Sequence, residues 1–157
     1  MIPPAQKDNP GVLVFPPLLF LVCCAASGLL HLIWTIPLMN RQASWWLGGV
    51  LALLAGSLAS WASRTMKRAG TNIRPNQPSL TVVTSGPFRL TRNPMYLSLC
   101  ILQSSIAILI NGWLPLLVVV PLALILHFGV VLREERYLER KFGDKYLAFK
   151  QSTRRWI

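Results

Sequence analysis

Two short segments of this chain hold the residues whose types and spacing could do chemistry. The first runs Thr84-Ser85-Gly86-Pro87-Phe88-Arg89-Leu90-Thr91-Arg92-Asn93-Pro94-Met95-Tyr96. Gly86-Pro87 predicts a tight turn. Asn93-Pro94 predicts a helix start, because Asn suits the N-cap and Pro the first helical position. A helix opening there presents unpaired backbone N–H groups next to the Arg92 guanidinium, and that combination is an anion site. The same residues also read as a capped helix with a snorkelling arginine. The second segment runs from Arg133 to Tyr146 and holds the adjacent carboxylates Glu134 and Glu135. Neighbours on a helix point about 100° apart, so these two are not a paired-carboxylate dyad. Arg136 and Arg140 lie within reach of carboxylates three or four residues away, which allows the plainer reading of a solvated helix laced with salt bridges. Position argues for more. These are the first acids after 40 uncharged residues, at a boundary where polar groups are costly and often functional. His127, Val131, Glu134, Leu138 and Lys141 follow steps of three and four and are expected to share one helical stripe. His127 lies deeper in the apolar run, where a lone His is more often a hydrogen-bonded packing residue than a catalyst. Cys23, Cys24 and Cys100 have neither a disulfide framework nor zinc-ligand spacing, so no metal site is expected.

The elements that must position these segments are membrane spans. Hydrophobic residues make up 53% of the 157 and charged ones only 13%, against about 25% charged in a soluble domain. Three stretches carry no charge: 32 residues from Asn9 to Asn40, 22 from Gln42 to Ser63 and 40 from Asn93 to Leu132. Each exceeds the roughly 20 residues that cross a bilayer. Asn111-Gly112 is a turn signal that divides the third. The expectation is an all-α integral membrane protein with about four transmembrane helices, near 16–38, 44–63, 95–110 and 113–132. Residues 1–157 then form a single membrane-embedded domain, with a cytoplasmic C-terminal segment over 133–157. Pro16-Pro17 suits the first helix start, and Pro37 should bend or end that helix. The third span is short enough to tilt or to stop before crossing. A leader peptide is the competing reading of the N-terminus, from Lys7, the apolar run at Val12 and Ala25-Ala26-Ser27. Apolar character that continues to Leu38 speaks against it.

Sixteen Lys and Arg against five Asp and Glu give a net charge of +11, and the placement of that charge explains it. Six basic residues and no acid lie between Arg64 and Arg92. Eight basic residues and four acids follow Leu132. The positive-inside rule makes both regions, and both termini, cytoplasmic. The excess charge orients the chain and attracts anionic lipid, so it calls for no nucleic-acid partner. Trp34, Trp45, Trp46 and Trp113 fall near span ends, as an aromatic belt requires.

Taken together, these motifs resemble a known family. The order is a Gly-Pro-aromatic turn (Gly86, Pro87, Phe88), then Arg92-Asn93-Pro94-x-Tyr96 opening a helix, then an apolar hairpin. Glu134-Glu135-x-x-Leu138, Phe142-Gly143-x-x-Tyr146 and Arg155-Trp156 follow. From Leu80 to the C-terminus the chain is similar to the isoprenylcysteine carboxyl methyltransferase and phospholipid N-methyltransferase family of integral-membrane enzymes. The resemblance implies a cytoplasmic S-adenosylmethionine site built from the segment before span 3 and the helix extending from span 4. Arg92, Asn93 and Tyr96 would form one wall. Phe88 and an extended Leu80–Val83 segment would lie near the adenosyl part, with Glu134 and Glu135 on the other wall. Glu134 and Arg92 would be the candidate catalytic residues. Arg92 and a helix N-terminus suit the cofactor's carboxylate, Glu134 its ammonium, and Tyr96 or Phe88 its cation or adenine face. The isoprenylcysteine enzymes have His where this chain has Asn93, so a role needing imidazole protonation would be lost and a hydrogen-bonding role kept. The implied acceptor is lipophilic or lipidated and membrane-associated. A carboxylate acceptor needs no base, whereas an amine needs one, with Glu134, Glu135 or His127 as candidates. The expected location is the plasma or inner membrane. Two other classes stay open. One is a nicotinamide-dependent membrane reductase of related architecture, although such enzymes are usually longer. The other is a non-enzymatic small membrane protein. The absence of a GxGxxG turn after a strand excludes a soluble methyltransferase fold.

Overall fold

In a bilayer a backbone must satisfy its own N–H and C=O groups, so long apolar runs close into helices. The computed structural model describes residues 8–157, and Lys7 of the leader-peptide reading lies outside them. Helix α1 is Pro16–Ile33, α2 is Arg41–Arg68 and α3 is Pro94–Ile110. Helix α4 is the 30-residue run Trp113–Phe142, and α5 is Asp144–Ser152. A 3-10 turn, Gly86–Arg89, precedes α3, and no strand occurs among the described residues. Three helices, α1, α2 and α4, are long and apolar enough to cross a membrane. The expected fourth, α3, has 17 residues. At about 1.5 Å per residue it reaches about 25 Å, short of a hydrocarbon core of about 30 Å.

Several boundaries differ from the sequence expectation, each for a local reason. Helix α1 stops at Ile33 rather than Leu38, and Trp34 is already extended (φ −146°, ψ 112°). Helix α2 starts at Arg41 because Asn40 accepts a hydrogen bond from the Ala43 N–H at 2.8 Å, an N-cap. It continues to Arg68, five residues past the expected end, and carries Arg64, Lys67 and Arg68 beyond the apolar zone. The Asn111 turn forms as expected, with Asn111 left-handed (φ 62°) at the end of α3. Its side chain accepts from the N–H groups of Leu38 (3.0 Å) and Met39 (3.1 Å) and donates to the Met39 carbonyl (2.8 Å). One residue thus ties the α1–α2 connection to the α3–α4 turn. Helix α4 contains a π turn at His127–Val131. The extra residue in that turn rotates His127 out of phase with Glu134 and Leu138, which corrects the single-stripe expectation.

Helices α2 and α3 pack closely because α2 offers Ser44, Gly48, Ala55 and Ala62 to its partner, all buried. A Cβ on Gly48 would lie 2.6 Å from Leu109 Cγ and 3.3 Å from the Leu109 backbone nitrogen. Ser105 donates to the Gly48 carbonyl at 2.7 Å, and Ser44 to the Ile108 carbonyl. Gln103, fully buried, donates to Ser27 at 2.8 Å, so Ser27 of Ala25-Ala26-Ser27 packs at mid-helix. Leu18, Leu21 and Val22 of α1 and Leu53 and Leu54 of α2 face outward, as lipid contact requires. Trp34, Trp45, Trp46 and Trp113 are exposed together at one end of the bundle. The two chemistry-bearing segments lie at the other.

Candidate functional site

At that basic end the 3-10 turn, the start of α3 and the outward extension of α4 converge. Pro87 and Phe88 sit inside the turn, where Phe88 packs with Ala62, Val82, Val83, Tyr146 and Phe149. Gly86 needs its positive φ of 61° to make the bend, and a Cβ there would lie 2.8 Å from Thr65 Oγ1. Gly143 (φ 52°) turns the chain between α4 and α5, which returns Tyr146 and Phe149 under Phe88. A cavity of about 410 Å³ opens above this cluster, within the range of small-molecule sites. Phe88, Arg92, Asn93, Tyr96, Glu134 and Glu135, the six residues expected at the site, all line it.

The two carboxylates do different things, as their 100° offset requires. Glu134 accepts a hydrogen bond from the Tyr96 hydroxyl at 2.6 Å, and no cation among the described residues pairs with it. Glu135 is buried and bound by two guanidinium groups. Arg155 donates to both of its oxygens, Nε to Oε1 at 3.0 Å and Nη2 to Oε2 at 2.8 Å, and Arg92 Nη2 approaches Oε1 at 3.3 Å. The Arg155 guanidinium is held further above its ordinary pKa by this hydrogen bonding to Glu135. Burial and then the Glu135 carboxylate raise the Tyr146 phenol well above its usual value, so it stays neutral. Arg92 spends only one of its nitrogens on this pair. Its Nε and Nη1 are buried and have no partner. A buried guanidinium with two unused donors on a cavity wall fits an anionic ligand group.

Asn93 occupies the N-cap position of α3, but its side chain makes no capping hydrogen bond. Its amide donates instead to the Arg155 carbonyl at 3.0 Å, while its own N–H donates to Thr91 Oγ1 at 3.2 Å. No side chain caps α3, so the start of α3 keeps backbone donors free of side-chain acceptors. The Leu80–Val83 segment is irregular rather than strand-like. Thr81, Val82 and Val83 line the cavity and Leu80 points out, 60% exposed. His127 lies away from the cavity and accepts from Trp156 Nε1 at 3.2 Å, a packing contact. Arg136 donates to the Leu132 carbonyl, and neither Arg136 nor Arg140 joins a salt bridge among the described residues. The laced-helix reading therefore fails at these two. No cluster of His, Cys, Asp or Glu that could hold a metal occurs among the described residues.

Three features have no counterpart in the sequence reading. There Arg155 is part of a motif but has no role. Tyr137 is buried and joins two covering segments, donating to Asp8 at 2.6 Å and accepting from the Ser79 N–H at 3.2 Å. Pro10 and Phe15, in the segment that Asp8 anchors, also line the cavity.

Comparison with known proteins shows the family. The family model described as phospholipid methyltransferase matches residues 43–145, from α2 through the first turn of α5. The chain belongs to that family. An uncharacterized protein of Haemophilus influenzae is 40% identical over 63 residues, which is 40% of this chain and all of that protein. The family match favours methyl transfer over the nicotinamide alternative, and the apolar helices make the chain an integral membrane protein.

Proposed function

We propose that this protein is an S-adenosylmethionine-dependent methyltransferase of the membrane, acting on a lipophilic acceptor that carries a carboxylate or an amine. The observation that carries the proposal is one cavity lined by all six expected residues, with two unpartnered donor nitrogens of Arg92 on its wall. Those donors and the free N–H groups at the start of α3 suit the cofactor's carboxylate. Glu134, unpaired with any cation, suits its ammonium. Tyr96 and Phe88 supply aromatic surface for the cation and the adenine. When bound, the cofactor supplies an electrophilic methyl group for displacement at carbon.

The chain's own part is alignment and exclusion of water. Phe88, Val82 and Val83 make one wall dry. Tyr96 fixes Glu134 in a single orientation. Glu134 is also the carboxylate able to take a proton from an amine acceptor. By the positive-inside rule the site faces the cytoplasm of a plasma or inner membrane, with both termini on that side. A methyl-donor assay with labelled cofactor, lipid extract and detergent-purified protein tests the assignment. Label should enter the lipid fraction with wild type and fall at least about tenfold with Arg92→Ala, the loss of a charged hydrogen bond. Equal labelling by both proteins contradicts the proposal.

A further inference from the structure

The C-terminal segment returns to the cavity and holds Arg92 from two sides. On the backbone side, the Arg92 N–H donates to the Arg154 carbonyl at 2.9 Å. Thr91 Oγ1 and the Asn93 amide both donate to the Arg155 carbonyl, each at 3.0 Å. On the side-chain side, Arg155 grips Glu135 at 3.0 and 2.8 Å, and Glu135 contacts Arg92 Nη2 at 3.3 Å. These contacts close a ring: Arg92 side chain, Glu135, Arg155 side chain, tail backbone, Arg92 backbone. Trp156 anchors the far side of the tail on His127.

The ring has a chemical consequence. Alone with Arg92, the Glu135 carboxylate would make the best partner for a guanidinium fork, two parallel hydrogen bonds. Here that bidentate geometry goes to Arg155, and Arg92 is left with one longer contact and two buried free donors. Arg155 thus keeps Glu135 from consuming Arg92, while the carboxylate still orients the Arg92 side chain.

We infer that the segment Thr153–Trp156 is a clamp that presets Arg92, with Arg155 as a positioning residue for the carboxylate of the bound amino-acid moiety. The inference rests on the methyl-donor reading above. Without Arg155, Glu135 turns the released oxygen to Arg92 and competes with the ligand. The effect is therefore confined to ligands that carry a carboxylate.

The test is calorimetric titration of the 157-residue chain in detergent with S-adenosylhomocysteine and with 5′-methylthioadenosine, which has the adenosine and sulfur but no carboxylate. Arg155→Ala should weaken S-adenosylhomocysteine about tenfold or more and leave 5′-methylthioadenosine within about twofold, by the worth of a charged hydrogen bond. Arg155→Lys keeps the charge but not the fork and should fall between the two, which covers the case where the alanine variant does not fold. Equal weakening of both ligands overturns the clamp and makes the tail a general packing element. Unchanged affinity for S-adenosylhomocysteine in either variant overturns it as well. If wild type binds neither ligand, the methyl-donor reading falls and takes the clamp with it, an outcome separate from the other two.

Discussion

At the scale of single residues, the site depends on which partner each charged group has. Tyr96 is the sole described hydrogen-bond partner of Glu134, at 2.6 Å. Tyr96→Phe should lower stability by roughly 1–3 kcal/mol, because it leaves a part-buried carboxylate unsatisfied. Glu134→Gln in the same background should recover part of that loss. A double-mutant cycle with Tyr96→Phe and Glu134→Ala, which removes the acceptor that Gln keeps, measures the coupling by thermal unfolding, and additive effects would mean that the contact contributes nothing. The local chemistry of this site was readable in the sequence where it depended on neighbours along the chain. Arg92 beside a helix start and two carboxylates at different angles follow from spacing alone. The partners of Asn93 and Glu135 did not follow. Asn93 has two kinds of partner within reach, the N–H donors of its own helix start and a carbonyl 62 residues away, and the fold selects the second. Nothing near Arg155 indicates that its side chain would meet a carboxylate 20 residues earlier.

At the scale of elements, helix contact sets tight limits at one face and loose ones at the next. Gly48→Val would drive a side chain into Leu109 and should cost about 1–3 kcal/mol by overpacking. Gly49→Val, with nothing within 4 Å, should be nearly neutral in the same unfolding assay. Equal destabilisation by the two would contradict the α2–α3 packing. The segment anchored by Asp8 has a charge dependence. Hydrogen bonds from Lys141 and then Tyr137 hold the Asp8 carboxyl below its ordinary value of 3.8. A depressed folded pKa means the tether is fully present above the ordinary value and is lost as pH falls through the depressed one. Hydrogen-exchange protection of residues 8–13 should hold from neutral pH down to that range and then drop, and Asp8→Asn should lower it throughout. Helix existence was legible because charge-free runs leave no other structure in a bilayer. The π turn in α4 was not, since apart from His127 the run from Trp113 to Leu132 is apolar on every side and one polar residue cannot fix its phase. The early end of α1 was hidden for the same reason.

At the scale of the whole molecule, the +11 charge and the cavity belong to the same end. Six bases between Arg64 and Arg92 and eight after Leu132 flank the site, and four tryptophans mark the opposite end. Single cysteines at the exposed positions Gln42 and Gln77, in a chain with Cys23, Cys24 and Cys100 replaced, report the orientation. Gln42→Cys should react with an impermeant thiol reagent in intact cells, and Gln77→Cys only after permeabilisation; the reverse pattern would place the site outside. The central claim is that this cavity binds a methyl donor through Arg92. Its most direct test is equilibrium binding of S-adenosylhomocysteine to the purified wild-type protein and to Arg92→Ala. The account predicts saturable one-site binding that weakens at least about tenfold in the variant, from the lost charged hydrogen bonds. Saturable binding of equal strength in both proteins, or none in the wild type, would contradict it.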